Sequence, residues 1–144
     1  MAADGRFFVD TWGWLVLSNA SDPAFAGVAA LRRGTGDRQS RWVTTDYVLD
    51  ETITRLFMTA PFALANKFIE GIFEASRLGT VDIEHVTPER FTQAWKLRLR
   101  YRDKPKFSFT DLTSFTVMRE LGLRRVITGD AHFEQAGLGF SLAP

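Results

Sequence analysis

The sequence predicts an α/β fold, a three-layer α/β/α sandwich around a central, mainly parallel sheet. Two observations carry this. Short β-rich or apolar runs recur at residues 6–10, 42–45, 81–84 and 125–128, and the stretches between them show helical spacing with helix start and stop signals. Several of these runs, such as RFFV and RVIT, are nearly continuous in apolar residues. That is the pattern of strands buried on both faces, and strands alternating with helices build a parallel sheet covered on both sides.

The elements follow in order. Residues 1–5 are read as loose, and residues 6–10 as a buried strand. Residues 11–19 carry Trp12, Leu15 and Val16 at helical spacing. Asp22-Pro23 reads as an N-cap with proline at the first helical position, opening a helix to about residue 33. Residues 34–41 are polar with two glycines and read as a loop, in which Gly34-Thr35-Gly36 lacks the rest of a phosphate-binding loop. After the strand at 42–45, Asp46 is expected to cap a helix to residue 58. Residues 61–78 form the next helix, stopped by Gly79. The strand at 81–84 is followed by Thr87-Pro88, opening a helix to about residue 102. Residues 104–109 connect to a helix at 111–121, with Thr110 available as its cap and Gly122 at its end. A strand at 125–128, a short helix at 130–135 and an edge strand near Phe140 complete the chain.

Composition narrows the function. The 144 residues suit one domain with a proper core, residues 1–144. Hydrophobic residues make up 45%, a globular composition. No apolar run reaches the ~18 residues of a membrane helix, and the start, MAADGRFFVD, has no signal-peptide pattern, so a cytoplasmic protein with no membrane partner is expected. The absence of cysteine excludes disulfides and thiolate metal sites. A net charge of +1 does not by itself imply nucleic-acid binding, which has to come from a local patch.

Four acids stand where elements begin or end: Asp10, Glu51, Asp111 and Asp130. In an α/β sheet those are the places where ligand sites form. Converged carboxylates repel, by roughly 4 kcal/mol per pair at ~4 Å and an effective dielectric of ~20. Such a cluster needs protonation or a cation among its members. Each acid also has an ordinary reading. Asp10 and Asp130 are placed to cap helices. Asp111 shares a helix side with Phe115 and Met118, and a cap at Thr110 frees it to face a cleft. Glu51 lies nearly opposite the expected core stripe of Leu49, Ile53, Leu56 and Phe57, so periodicity reads it as solvated, while its place soon after a strand puts it near the sheet's carboxyl edge.

The segments FFVDT, TTDYVLDETITRL, YRDKPKFSFTDLTSF and VITGDAHF, in this order, carry a resemblance. The chain resembles the PIN-domain nucleases, and within them the VapC-type toxins of bacterial and archaeal toxin–antitoxin systems. The resemblance implies a PIN-like sandwich with Asp10, Glu51, Asp111 and Asp130 as metal-binding and catalytic acids, supported by Thr11, Ser114 and Thr128. It implies Mg²⁺ or Mn²⁺ as cofactor, RNA as substrate, a cognate antitoxin as partner and a homodimer. The implied reaction is in-line attack by water on an RNA phosphodiester, leaving a 5′-phosphate and a 3′-hydroxyl. Hard divalent ions suit carboxylate donors and lower the pKa of water, so no His or Cys base is required.

Other features bear on the same question. The run KLRLRYRDKPK at residues 96–106 reads as a phosphate-contacting surface or a solvated helix face. Its cations scatter around a helix axis, so Arg102, Lys104 and Lys106, nearest the acid-bearing loop, are the expected RNA contacts. His132 reads as a structural hydrogen-bonder ahead of a metal ligand. The helix at 61–78, with Phe62, Leu64, Phe68, Ile72 and Phe73, reads as a broad core face or as a dimer or antitoxin surface. Two other functions remain open at this level: a PIN-like module that binds RNA or protein without cutting, and a Mg²⁺-dependent phosphatase or receiver domain. The phosphatase wants a D-x-D after the first strand, where this chain has Asp10-Thr11-Trp12, and the receiver wants paired early acids and a lysine after a late strand, neither of which is obvious.

Overall fold

The computed structural model describes residues 5–33 and 41–144. Five strands, β1 (Arg6–Val9), β2 (Arg41–Thr45), β3 (Val81–Glu84), β4 (Arg125–Ile127) and β5 (Ser141–Ala143), form one sheet in the order β3-β2-β1-β4-β5. Every pairing is parallel, with Phe8 opposite both Val43 and Val126. Phe7, Phe8 and Val9 are all buried, so both faces of β1 are covered. The helices are α1 (Thr11–Leu17), α2 (Phe25–Arg33), α3 (Asp46–Thr59), α4 (Phe62–Arg77), α5 (Pro88–Arg100), α6 (Phe109–Leu121) and α7 (His132–Gln135). This is the expected α/β/α architecture.

The strand order fixes where a site forms. The chain builds outward from β1 through β2 to β3, then returns to β4 on the other side of β1 and moves outward again to β5. The order therefore reverses between β1 and β4, and a crevice opens outside the carboxyl ends of the strands at such a switch point. Asp10 follows β1 directly, and Thr128 and Asp130 follow β4. Gly13 lets α1 approach this point: a Cβ there would lie 2.9 Å from side-chain carbons of both Val9 and Ile127.

Several boundaries differ from the sequence reading, each for a local reason. Thr45, rather than Asp46, caps α3, its Oγ1 accepting from the Val48 N–H at 3.0 Å. Asp46 instead accepts from the Val86 N–H at 2.9 Å, tying α3 to the segment after β3. The cap of α6 is Ser108, not Thr110, and the helix starts at Phe109. Asp22 accepts from the Ala24 N–H at 2.8 Å, holding a turn, and α2 begins only at Phe25. On α1 the buried residues are Thr11, Gly13, Trp14 and Val16, so Trp14 enters the core and Trp12 does not. The expected edge strand is β5, just beyond Phe140. Residues 1–4, within the loose start, and residues 34–40, with Gly34-Thr35-Gly36, lie outside the described residues.

Two aromatic groups anchor the core. Trp14 meets Trp42 edge-on at 5.6 Å, and its indole N–H donates to Thr44 Oγ1 at 3.1 Å. Phe115 meets Phe107 at 5.5 Å and Phe133 at 5.0 Å, both edge-on. Such pairs contribute about 0.5–1.5 kcal/mol each beyond their buried area. The second group packs under α6 and α7, the helices that carry Asp111 and His132.

Candidate active site

Asp10, Asp111, Asp130 and Glu51 line one cavity of about 450 Å³ at the switch point, with Thr11, His132 and Lys106. Asp10 stands at the N-cap position of α1 in extended backbone, yet its side chain makes no capping bond. Its Oδ2 accepts from the Thr128 hydroxyl at 2.9 Å, and the same Thr128 oxygen accepts from the Asp130 N–H at 3.0 Å. Thr128 thus links the ends of β1 and β4.

Asp111 is the third residue of α6 and does two jobs. It closes a capping box with Ser108: the Asp111 N–H donates to Ser108 Oγ at 2.9 Å, and the Ser108 N–H donates to Asp111 Oδ2 at 3.0 Å. His132 Nδ1 lies 3.0 Å from that same Oδ2 and 3.1 Å from Asp130 Oδ2, while the His132 backbone N–H donates to Asp130 Oδ1 at 2.9 Å. The His132 ring also leans on Phe107 at 5.2 Å. Ser108 and His132 both hold Asp111 through Oδ2, leaving its Oδ1 out of these ties. Outer groups that tie one oxygen of a ligand set the direction of the other.

Burial raises the Asp10 carboxyl from 3.8 to about 7; the charges of Asp111 and Glu51 push the same way, against the Thr11 N–H and the Thr128 hydroxyl. Asp111 is also raised, first by burial, with Asp130 adding to it and His132 and the Ser108 N–H opposing. Asp111 and Glu51 act on Asp10, and Asp130 acts on Asp111, so the acids form the repelling cluster expected from sequence.

Glu51 reaches the cavity because α3 is rotated from its expected face. The buried residues are Val48, Leu49, Thr52 and Leu56, while Ile53 and Phe57 are only half-buried. Thr52 tolerates full burial because its hydroxyl donates to the Val48 carbonyl at 2.8 Å. That turn carries Glu51 from the solvated side to the cavity wall, where Arg55 lies 3.5 Å from it.

The remaining expected residues separate. Thr11 and Thr128 are at the site; Ser114 is fully buried within α6 and does not line the cavity. Of the three expected cations, only Lys106 lines it. Arg102 is exposed elsewhere, and Lys104 sits 3.9 Å from Asp103. Arg98, one of the run, turns inward: it donates to the carbonyls of Phe107 at 2.6 Å and of Tyr101 and Lys104, both at 2.7 Å. It staples the loop that leads to Asp111. Sequence gave no sign of this, because the accepting carbonyls have no side-chain signature.

The donor set fits a hard divalent cation: carboxylate oxygens dominate and cysteine is absent. One ligand atom each from Asp111, Asp130 and His132 lies within 4.8 Å of the others. Thr11 Oγ1 is buried in the cavity wall with no hydrogen-bond partner among the described residues, an acceptor and donor available to an ion's hydration shell.

No protein-family model matches the chain. It is 37% identical over 131 residues, 90% of its length, to the 23S rRNA-specific endonuclease VapC20 of Mycobacterium tuberculosis, covering 93% of that protein, in both strain H37Rv and strain CDC 1551. The crystal structure of M. tuberculosis VapC20, described as a sarcin-ricin loop cleaving toxin, superposes with a TM-score of 0.78 at 34% identity, covering 96% of this chain and 99% of that one. With that extent of identity in both sequence and fold, the chain belongs to the VapC family of PIN-domain toxin endonucleases.

Proposed function

We propose that the chain, residues 1–144 acting as one nuclease domain, is a Mg²⁺- or Mn²⁺-dependent endoribonuclease and the toxin of a toxin–antitoxin pair. One observation carries this reading: four carboxylates share a single cavity in which burial and mutual repulsion hold Asp10 near neutral pKa. An isolated cluster of this kind is unfavourable, and a divalent cation relieves it.

Asp10, Asp111 and Asp130 would hold the ion, with Glu51 completing the set. When bound, the ion lowers the pKa of water and neutralises charge on the phosphate. The chain's own groups do the rest. Thr128 fixes Asp10 relative to the Asp130 backbone. Ser108 and His132 fix Asp111. Arg55 keeps Glu51 at the wall, and Lys106 at the rim meets a substrate phosphate, with Arg102 and Lys104 as outer contacts of the strand. The 23S rRNA-specific activity named for the relatives makes 23S ribosomal RNA the first substrate to test.

Two partners belong to the same proposal. On and beside α4, Met58, Phe62 and Leu64 are 79%, 74% and 63% exposed, next to a groove lined by Leu64, Phe68 and Ile72. An apolar face of this kind suits an amphipathic antitoxin helix or a second copy of the chain. No helix among the described residues is long and apolar enough to cross a membrane; a cytoplasmic site of action belongs to the same proposal.

The test is cleavage of 23S ribosomal RNA with Mg²⁺ or Mn²⁺. Discrete products that vanish in EDTA are expected. Intact RNA under all metal conditions, from protein shown to be free of any bound inhibitor, would refute the proposal.

A further inference from the structure

A second groove, of about 500 Å³, runs between α5 and α6 and is lined by Lys96 and Arg100 from one helix and Arg119 from the other. All three are exposed, and none makes an ion pair among the described residues. Lys96 and Arg100 are four residues apart and share a side of α5. The acid in the groove, Glu120, is already taken: Arg90 bonds it through Nε at 3.2 Å and also through Nη2. The groove therefore presents three cations against one acid, Glu120, which is bonded to Arg90.

Arg41 pairs with Asp82, Arg55 with Glu51, Arg77 with Glu74, and Arg90 with Glu84 and Glu120, so those side chains are engaged by acids and the three in the groove are not. Exposed cations that share a groove favour an anion placed between them. The cavity described above is lined with carboxylates, so in the absence of a cation its attraction for a polyanion rests on rim cations such as Lys106. On a chain of net charge +1 the attraction has to come from a local patch.

We infer that the α5–α6 groove is an RNA-backbone subsite, in which Lys96, Arg100 and Arg119 contact phosphates remote from the bond that is cut. This deepens the ribonuclease reading and rests on it for the identity of the polyanion. Gln93 and Thr116, also in the groove, flank the cations with polar groups. The subsite raises affinity without touching the reacting phosphate, so its loss weakens binding and leaves turnover at saturation unchanged.

The experiment measures binding of a fluorescent ~20-nucleotide mixed-sequence RNA by anisotropy, in EDTA, across a salt series. It compares the wild type with K96Q/R100Q/R119Q, and with R33Q/K67Q/R124Q as a control that removes the same net charge elsewhere. Each phosphate contact on single-stranded RNA contributes about 0.7 to the slope of log K against log salt. The groove variant is expected to lower that slope by roughly 2, or about 100-fold in affinity per decade of salt, and the control to lower it far less. Equal slopes for wild type and groove variant, an equal drop in the control, or no binding by the wild type would each overturn the inference. Circular dichroism shows whether the variants fold, and single substitutions replace any triple that does not. Binding with the expected slope but no cleavage after Mg²⁺ addition would instead strike the nuclease reading and leave the subsite standing.

Discussion

Replacing Asp10 with asparagine should stabilise the metal-free protein. The Asp10 carboxyl rises from 3.8 to about 7, chiefly because burial disfavours its charge. In the unfolded chain the same group titrates near ~3.9. Below that pH both states hold the proton, and Asp10 costs nothing. Between ~4 and ~7 only the folded state holds it, so stability falls as pH rises, and the loss is complete once pH passes the folded value. A difference of ~3 units is worth about 4 kcal/mol, the ceiling on the gain from Asp10→Asn above pH 7. For a chain of this size that is roughly 10 °C in melting temperature. Asparagine keeps an oxygen to accept from Thr128, so the bond at 2.9 Å survives. Melting curves in EDTA from pH 4 to pH 8 provide the assay. The variant and wild type should coincide near pH 4 and diverge as pH rises, and saturating Mg²⁺ should raise the wild type and leave the variant nearly unmoved. Parallel curves at all pH values would refute the reasoning, since Asp10 would then carry no burial penalty.

Three further outcomes follow from the same geometry. Thr128→Val removes the hydroxyl that holds Asp10 and receives the Asp130 N–H, and calorimetric titration should show metal affinity reduced about 10–100-fold with the fold retained. Arg98→Ala takes the charged donor from three carbonyls at the α5–α6 loop, of which Tyr101 and Lys104 keep backbone N–H donors, and urea denaturation should register a loss of about 1–3 kcal/mol. Gly13→Ala drives a methyl to 2.9 Å from Val9 and Ile127 side chains, and should cost about 1–3 kcal/mol in the same assay while displacing α1 from the site.

The fold was largely legible because its strands are short apolar runs and its helices carry their own stop and start signals. Asp10 and Asp130 were legible as residues at strand ends, and the strand order turned that position into proximity. Caps were read less well. Thr45 and Ser108 cap through hydroxyls that the sequence offers beside equally suitable neighbours, Asp46 and Thr110, and only the backbone path chooses between them. Glu51 was misplaced by periodicity because Thr52 counts as polar in a hydrophobic pattern yet buries by bonding its own helix. Ser114 was expected at the site from the resemblance, but tertiary packing closes over it. The basic run divided in three ways that no one-dimensional pattern carries: Arg98 inward to carbonyls, Lys106 to the cavity, and Lys96 with Arg100 to a groove completed by Arg119 from another helix.

The most direct test of the central claim is cleavage of a mixed RNA pool by wild type and by Asp10→Asn, purified identically, each with Mg²⁺ or Mn²⁺ and each with EDTA. Cutting by the wild type alone, and only with metal, is the result expected if the four acids form the catalytic centre. Equal cutting by the two proteins would contradict it.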